Sequence, residues 1–125
     1  MKKFEEQTID KFLKGKKIDG TIKKEFSLIP KRNKEEASLN LERVKSKRAD
    51  LLIENKNRIE IYEVKTKLNA DALGKLIIYK YLYNQNFQVP NDDKRPIILR
   101  VLCEETDPEI EPIFKLFGID VIVVS

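Results

Sequence analysis

Along residues 4–17 the apolar side chains Phe4, Ile9, Phe12 and Leu13 gather on one side of a 3.6-residue wheel, which predicts an amphipathic helix. Asp19-Gly20 marks a turn, and residues 21–29 then alternate, with Ile22, Phe26 and Leu28 on one face, as a strand does. Residues 30–34 read as a polar loop and 38–44 as a further strand. Residues 47–54 and 58–65 are apolar runs on either side of a polar tip, Asn55-Lys56-Asn57, the signal of a β-hairpin. Asn69 is placed to cap a helix running through Tyr83, with Asp71 at the positive end of its dipole. A buried strand over 96–103 follows, then a helix opened by Asp107 as cap and Pro108 at its first position and closed by Gly118. A last strand covers 119–124. Helix, strands, hairpin, helix, strand, helix, strand is the order of an α/β protein, a mixed sheet covered by helices.

Composition narrows the chemistry. The 125 residues suit one domain over 1–125, and no repeat, low-complexity tract or Pro/Gly-rich linker divides them. Hydrophobic residues make up 41%, enough for a core, and charged residues 37%, enough for a heavily solvated surface. The formal charge of +4 favours a polyanionic partner, though only mildly. No apolar run approaches the ~20 residues of a membrane span, and the N-terminus lacks a signal-peptide core, so a soluble, cytoplasmic protein is expected.

Histidine is absent, which removes Ser-His-Asp catalysis, HExxH zinc sites and imidazole acid–base chemistry. Cys103, the single cysteine, sits in an apolar run and reads as a buried structural thiol; no disulfide can form within the chain. Carboxylates, lysines and tyrosines remain, and they point any enzymology towards hard, oxygen-liganded metals.

An acidic-x-lysine tripeptide occurs as Glu54-Asn-Lys56, Glu63-Val-Lys65 and Asp92-Asp-Lys94, about as often as chance gives, so context must choose among them. The first lies at the hairpin tip and the third in a polar loop, whereas Glu63-Val-Lys65 closes an apolar strand. Period-2 geometry puts Glu63 and Lys65 on one face with Ile59 and Ile61. A hairpin turning on Lys56-Asn57 pairs Asn55 with Arg58 and, counted back, sets Asp50 opposite Glu63. Two carboxylates that close repel, an arrangement that makes sense if a divalent cation lies between them. The alternative is a pair of edge acids neutralised by Lys65 and Lys67.

Arg48-Ala-Asp50, a hairpin, then Ile61-Tyr-Glu63-Val-Lys65-Thr66 and a helix resembles the PD-(D/E)xK nuclease superfamily, with Ala49 in place of the signature proline. The resemblance implies a restriction-endonuclease-like αβββαβ core, with the C-terminal helix and strand as an addition. It also implies that Asp50 and Glu63 are ligands of Mg²⁺, for which Mn²⁺ substitutes, with the carbonyl of Val64 as a third oxygen. Lys65 would position or deprotonate the attacking water and offset phosphorane charge. Many members add a glutamate from the first helix. Glu5 falls in the middle of the apolar arc of the wheel and Glu6 on its flank, so Glu5 is the expected further ligand, the alternative being a frayed first turn.

Some branches, RecB-like nucleases among them, carry Gln-x-x-x-Tyr on the following helix, and Lys75-Leu-Ile-Ile-Tyr79 stands in that place here. Lys75 and Tyr79, with Lys47 and Arg48, are therefore expected to contact nucleic acid, while Tyr81 and Tyr83 read as helix packing. The function expected is Mg²⁺-dependent hydrolysis of DNA phosphodiesters, structure-specific or end-processing as in the similarly sized Holliday-junction resolvases, by a homodimer. The alternative is a non-catalytic nucleic-acid-binding module that keeps the fold.

Overall fold

Five extended segments pair in sequence order, β1 (Thr21–Ser27), β2 (Arg48–Glu54), β3 (Ile59–Lys67), β4 (Ile97–Glu105) and β5 (Ile119–Val123). The β1–β2 and β2–β3 pairs are antiparallel; β3–β4 and β4–β5 are parallel. Parallel neighbours need a crossover, and α2 (Ala70–Tyr83) and α3 (Glu111–Leu116) supply the two required. This computed structural model describes residues 1–30 and 47–125. The strand expected over 38–44 lies outside them. The result is the expected α/β class, a mixed five-stranded sheet flanked by helices.

Each face of the sheet has its own core. On one, α1 (Lys3–Leu13) packs Ile9 and Phe12 against Leu51, Ile53, Tyr62, Val64 and Leu102. On the other, α2 and α3 bring Ala72, Leu76, Tyr79, Tyr83 and Phe114 onto Leu52, Ile59, Ile61, Leu99, Val101 and Cys103. The period-2 reading of β3 therefore holds: Ile59 and Ile61 face α2, Tyr62 and Val64 face α1. Among the described residues no helix is long and apolar enough to cross a membrane.

The hairpin turns where its sequence places the turn. The Asn55 N–H donates to the Arg58 carbonyl at 3.1 Å. The side-chain oxygen of Asn55 accepts from the amides of Asn57 and Arg58 at 2.8 and 2.9 Å. With the turn fixed on Lys56-Asn57, the strands run in the expected register, from Glu54↔Ile59 to Leu51↔Tyr62. Asn69 caps α2 as expected, its side chain accepting from the Ala72 amide at 3.1 Å.

Four expectations need correction. The first helix ends at Leu13 rather than reaching Lys17, because the chain turns at Gly15, whose φ is +74°. In β1 the simple alternation breaks at Glu25 (φ +49°). Ile22 opposes Ile53 on the α1 side, while Phe26 and Leu28 join the α2-side core. The last helix begins at Glu111, not at Pro108. A helix opened at Pro108 would carry Pro112 in its interior, where it lacks an N–H and its ring meets the carbonyl four residues back. Residues 108–110 instead form a turn closed by the Asp107 carbonyl. Finally, Tyr81 is 64% exposed and packs in no core, unlike Tyr83.

Gly20 connects α1 to β1 with φ +130°, and a Cβ built there would come within 2.4 Å of the Glu54 carbonyl oxygen. Gly20→Ala is expected to destabilise the protein by roughly 1–3 kcal/mol through strain and this close approach. An unchanged urea midpoint would show that the turn relaxes at no cost.

Candidate active site

Strand β2 is irregular at one residue. Its pairing with β1 skips the Glu25–Asp50 position, and its pairing with β3 ends at Leu51↔Tyr62. One step beyond, where the register sets Asp50 opposite Glu63, a side chain replaces the backbone ladder. Asp50 Oδ2 accepts the Val64 N–H at 2.8 Å, and the Asp50 carboxylate also hydrogen-bonds the Glu63 carboxyl. The strand turns over here. Ala49 and Leu52 both reach the α2-side core, whereas Leu51 and Ile53 reach the α1-side core.

Glu63 is only 4% exposed. Burial, then the hydrogen bond and charge of Asp50, push its carboxyl up to about 9, against the opposing pull of Lys75 and Lys65. At neutral pH Glu63 is thus held in its protonated form, the state expected of a buried acid that touches another without a cation. The nearby Glu60 shows the contrast. Also buried, it is satisfied by Arg58 at 2.7 Å, Arg100 at 2.8 Å and the Tyr62 hydroxyl at 2.5 Å. Two guanidiniums and a hydroxyl tie Glu60 into the structure. Glu63 has a like charge as its neighbour instead.

Lysines line the open side. Lys65 follows Glu63 on the same face, and its ammonium meets Asp71 Oδ2 at 3.1 Å. Lys75, one helical turn after Asp71, lies 3.2 Å from the same oxygen and 3.9 Å from Glu63 Oε2. Lys65 and then Lys75 hold the Asp71 carboxyl below its usual range. Burial works against the charge on Lys75, yet Glu63 and Asp71 leave its pKa raised. Tyr79 closes the buried side, its hydroxyl donating to Glu63 Oε2 at 3.5 Å. Burial and then the charges of Glu63 and Asp50 push that phenol above its usual range, so it stays protonated as a donor. The cluster sits at the carboxyl end of β3, beside parallel β4 and the first turn of α2, where open α/β sheets leave a crevice.

Asp50, Glu63 and Lys65 are thus brought together as their spacing predicts, and Lys75 joins them. Glu5 does not: its Oε1 accepts from the Lys2 amide at 3.1 Å, closing the first turn of α1. Among the described residues no group of three or more acidic or thiol side chains is arranged to hold a metal. Tyr79, expected at nucleic acid, is 3% exposed and supports Glu63 from within the core. Arg48 is exposed and borders a groove with Lys23, Lys24 and Phe26, while Lys47 is half-buried at the edge of β2. From the sequence Asp71 reads only as a helix-dipole acid. Its i, i+4 spacing to Lys75 is the signal that marks it as more. Comparison with protein-family models, curated proteins and solved structures found no match.

The Glu63 pKa carries a sign for stability. Its folded value, about 9, lies above the ordinary value of 4.5, so between those limits the folded state binds more protons than the unfolded one. Stability is fully present below about pH 4.5 as far as this group is concerned, and it falls as pH rises towards 9. The expected loss is on the order of a few kcal/mol. Glu63→Gln, which mimics the protonated form, should flatten that decline. Denaturation curves at pH 6 and pH 9 that differ equally in wild type and Glu63→Gln would remove Glu63 as the cause.

Proposed function

We propose that this protein is a metal-dependent nuclease of PD-(D/E)xK type that hydrolyses DNA phosphodiester bonds. One observation carries the reading: two carboxyls from neighbouring strands are pressed together where their ladder opens, with Lys65, paired to the exposed Asp71, next on the same face. Nothing in the core requires that contact, and without a cation or proton it is repulsive. The donor set fits Mg²⁺, which is commonly held by one or two carboxylates together with waters and substrate phosphate oxygens. Asp50 and Glu63 would hold the ion, with the Val64 carbonyl as a third oxygen, and Mn²⁺ would substitute. Glu5 is left out of this set.

The bound ion would supply Lewis-acid polarisation of the phosphate and acidify a water. The chain does the rest. Glu63 would hold the ion as a carboxylate, its proton having passed to solvent. Tyr79 and the Val64 amide fix the orientation of Glu63 and Asp50. Lys65 stands beside the pair to orient the attacking water and to offset charge developing on the phosphate oxygens. Lys75 adds a second ammonium, and Arg48 and Lys47 extend the positive edge along β2. No separate recognition unit stands beside the sheet among the described residues, so we favour structure-specific cutting or end processing over sequence-specific cleavage. Homodimerisation would widen the footprint, and α3 leaves Leu116 and Phe117 exposed beside the edge strand β5. The reading places the protein in the cytoplasm, with the nucleic acid it acts on.

Supercoiled, linear, single-stranded and four-way-junction DNA should be cut with Mg²⁺ or Mn²⁺ and left intact in EDTA; full activity in chelator would sink the assignment. Lys65→Ala should lower the cleavage rate by roughly two to four orders of magnitude, with a loss of DNA affinity of no more than about tenfold and a denaturation midpoint that hardly moves. Equal cutting by wild type and Lys65→Ala would place the activity elsewhere. Glu63→Gln should weaken metal binding, so that added Mn²⁺ partly restores its rate. Among the described residues no three-acid group is present, which favours a second reading, a nucleic-acid-binding module without catalysis. DNA binding with no heat of Mg²⁺ or Mn²⁺ binding would select it.

A further inference from the structure

The oxygen that joins the two lysines has a chemical identity worth considering. Lys65 and Lys75 come from different elements, yet both ammoniums reach the same atom, Asp71 Oδ2, at 3.1 and 3.2 Å. One anionic oxygen held between two ammoniums is the arrangement that a non-bridging phosphate oxygen adopts between two lysines. Asp71 supplies that oxygen from the solvent side, since its side chain is 61% exposed while that of Lys65 is 20% exposed. An exposed ion pair of this kind adds little to stability, and Asp71 is already well placed for α2 by the helix dipole. The carboxylate is therefore cheap to displace: once released, it remains solvated at the positive end of the helix.

We propose that Lys65 and Lys75 form a two-ammonium seat for a phosphate group and that Asp71 is its resident competitor, a carboxylate that an incoming phosphate displaces. The proposal rests on reading the cleft as a phosphodiester site. It adds a residue that opposes binding. A phosphodiester carries the same unit charge as Asp71, but it arrives with the field of its neighbours along the strand, whereas an isolated small anion does not. Asp71 thus raises the threshold for occupancy of the seat and discriminates against stray monoanions. It also keeps the two like-charged ammoniums together while the seat is empty, and Lys75 remains within reach of Glu63, which it approaches at 3.9 Å.

The test is read as binding, in EDTA and at low salt, with no cleavage involved. Wild type, Asp71→Asn and Asp71→Glu are titrated with inorganic pyrophosphate by calorimetry and with a fluorescent DNA duplex by anisotropy. Asp71→Asn removes the competing charge but keeps the shape, and it should tighten both probes by roughly three- to tenfold, as loss of one repulsive charge a few ångströms away would give. Asp71→Glu keeps the competitor and should stay close to wild type. Glu105→Gln removes an exposed acid from the same end of the sheet, opposite Lys67 in the β3–β4 register, and should have the smaller effect. In a Lys65→Ala/Lys75→Ala background the Asp71→Asn gain should vanish.

The proposal is overturned if Asp71→Asn binds pyrophosphate no more tightly than wild type. It is equally overturned if Glu105→Gln matches the gain, or if the gain survives loss of both lysines. Should Asp71→Asn fail to fold, as judged by circular dichroism, Asp71→Ser takes its place. A wild type that never cuts DNA would sink the nuclease reading alone, because the pyrophosphate titration reads the seat without metal or turnover.

Discussion

The contact between Asp50 and Glu63 organises the functional half of this protein, and it exists because β2 stops pairing with β3 one residue short. Where the ladder would continue, the Asp50 carboxylate takes the Val64 amide, so the backbone donor stays satisfied while the strands part. That substitution carries the acid into the gap between the strands. Once there it must meet Glu63, which the alternation of β3 directs to the same side. Removing both acids from bulk water beside one another is costly, and the structure meets the cost with a retained proton and nearby lysines rather than with a full ion pair.

The rest of the fold serves to hold that gap open. The Asn55 turn fixes the hairpin register, and the two-sided core locks β3, with Ile59 and Ile61 under α2 and Tyr62 and Val64 under α1. Because α2 is the crossover between β3 and β4, its first turn lies against the carboxyl end of β3, which puts Asp71 and Lys75 beside Lys65. The wider π-helical turn that continues the helix, Asn84–Gln88, is tied down as well. Asn86 donates to the Leu28 carbonyl at 2.8 Å, and Gln88 donates to that of Arg95 at 2.7 Å. Arg95 in turn grips Asp93, Glu54 and the Asn55 carbonyl, joining the hairpin tip to the start of β4. A lysine on α2 is therefore placed by interactions at both ends of its helix.

Two buried glutamates in β3 illustrate how environment separates structure from chemistry. Glu60, on the α1 face, has three fixed donors on its two oxygens. Glu63, on the α2 face, has one distant hydroxyl, one ammonium at the limit of contact and a neighbouring acid. Both lie in the same apolar run, and neither local composition nor hydropathy tells them apart. Only the partners brought by other elements do.

The sequence by itself determined the order of the elements, the hairpin turn, the period-2 face of β3 and so the meeting of Asp50, Glu63 and Lys65. All of these follow from short-range rules, because side-chain direction along a strand and the register of a tight hairpin are set within about a dozen residues. Where a second local rule intervened, the reading slipped: Pro112 delayed α3, and Glu25 broke the alternation of β1. The tertiary structure decided what depends on elements far apart in the chain. It turned Glu5 to its own helix end, buried Tyr79 against Glu63, left Tyr81 in solvent and set Lys65 and Lys75 on one oxygen of Asp71. Those outcomes hinge on where helices land on the sheet, and that is fixed by packing of the whole core rather than by any spacing along the chain.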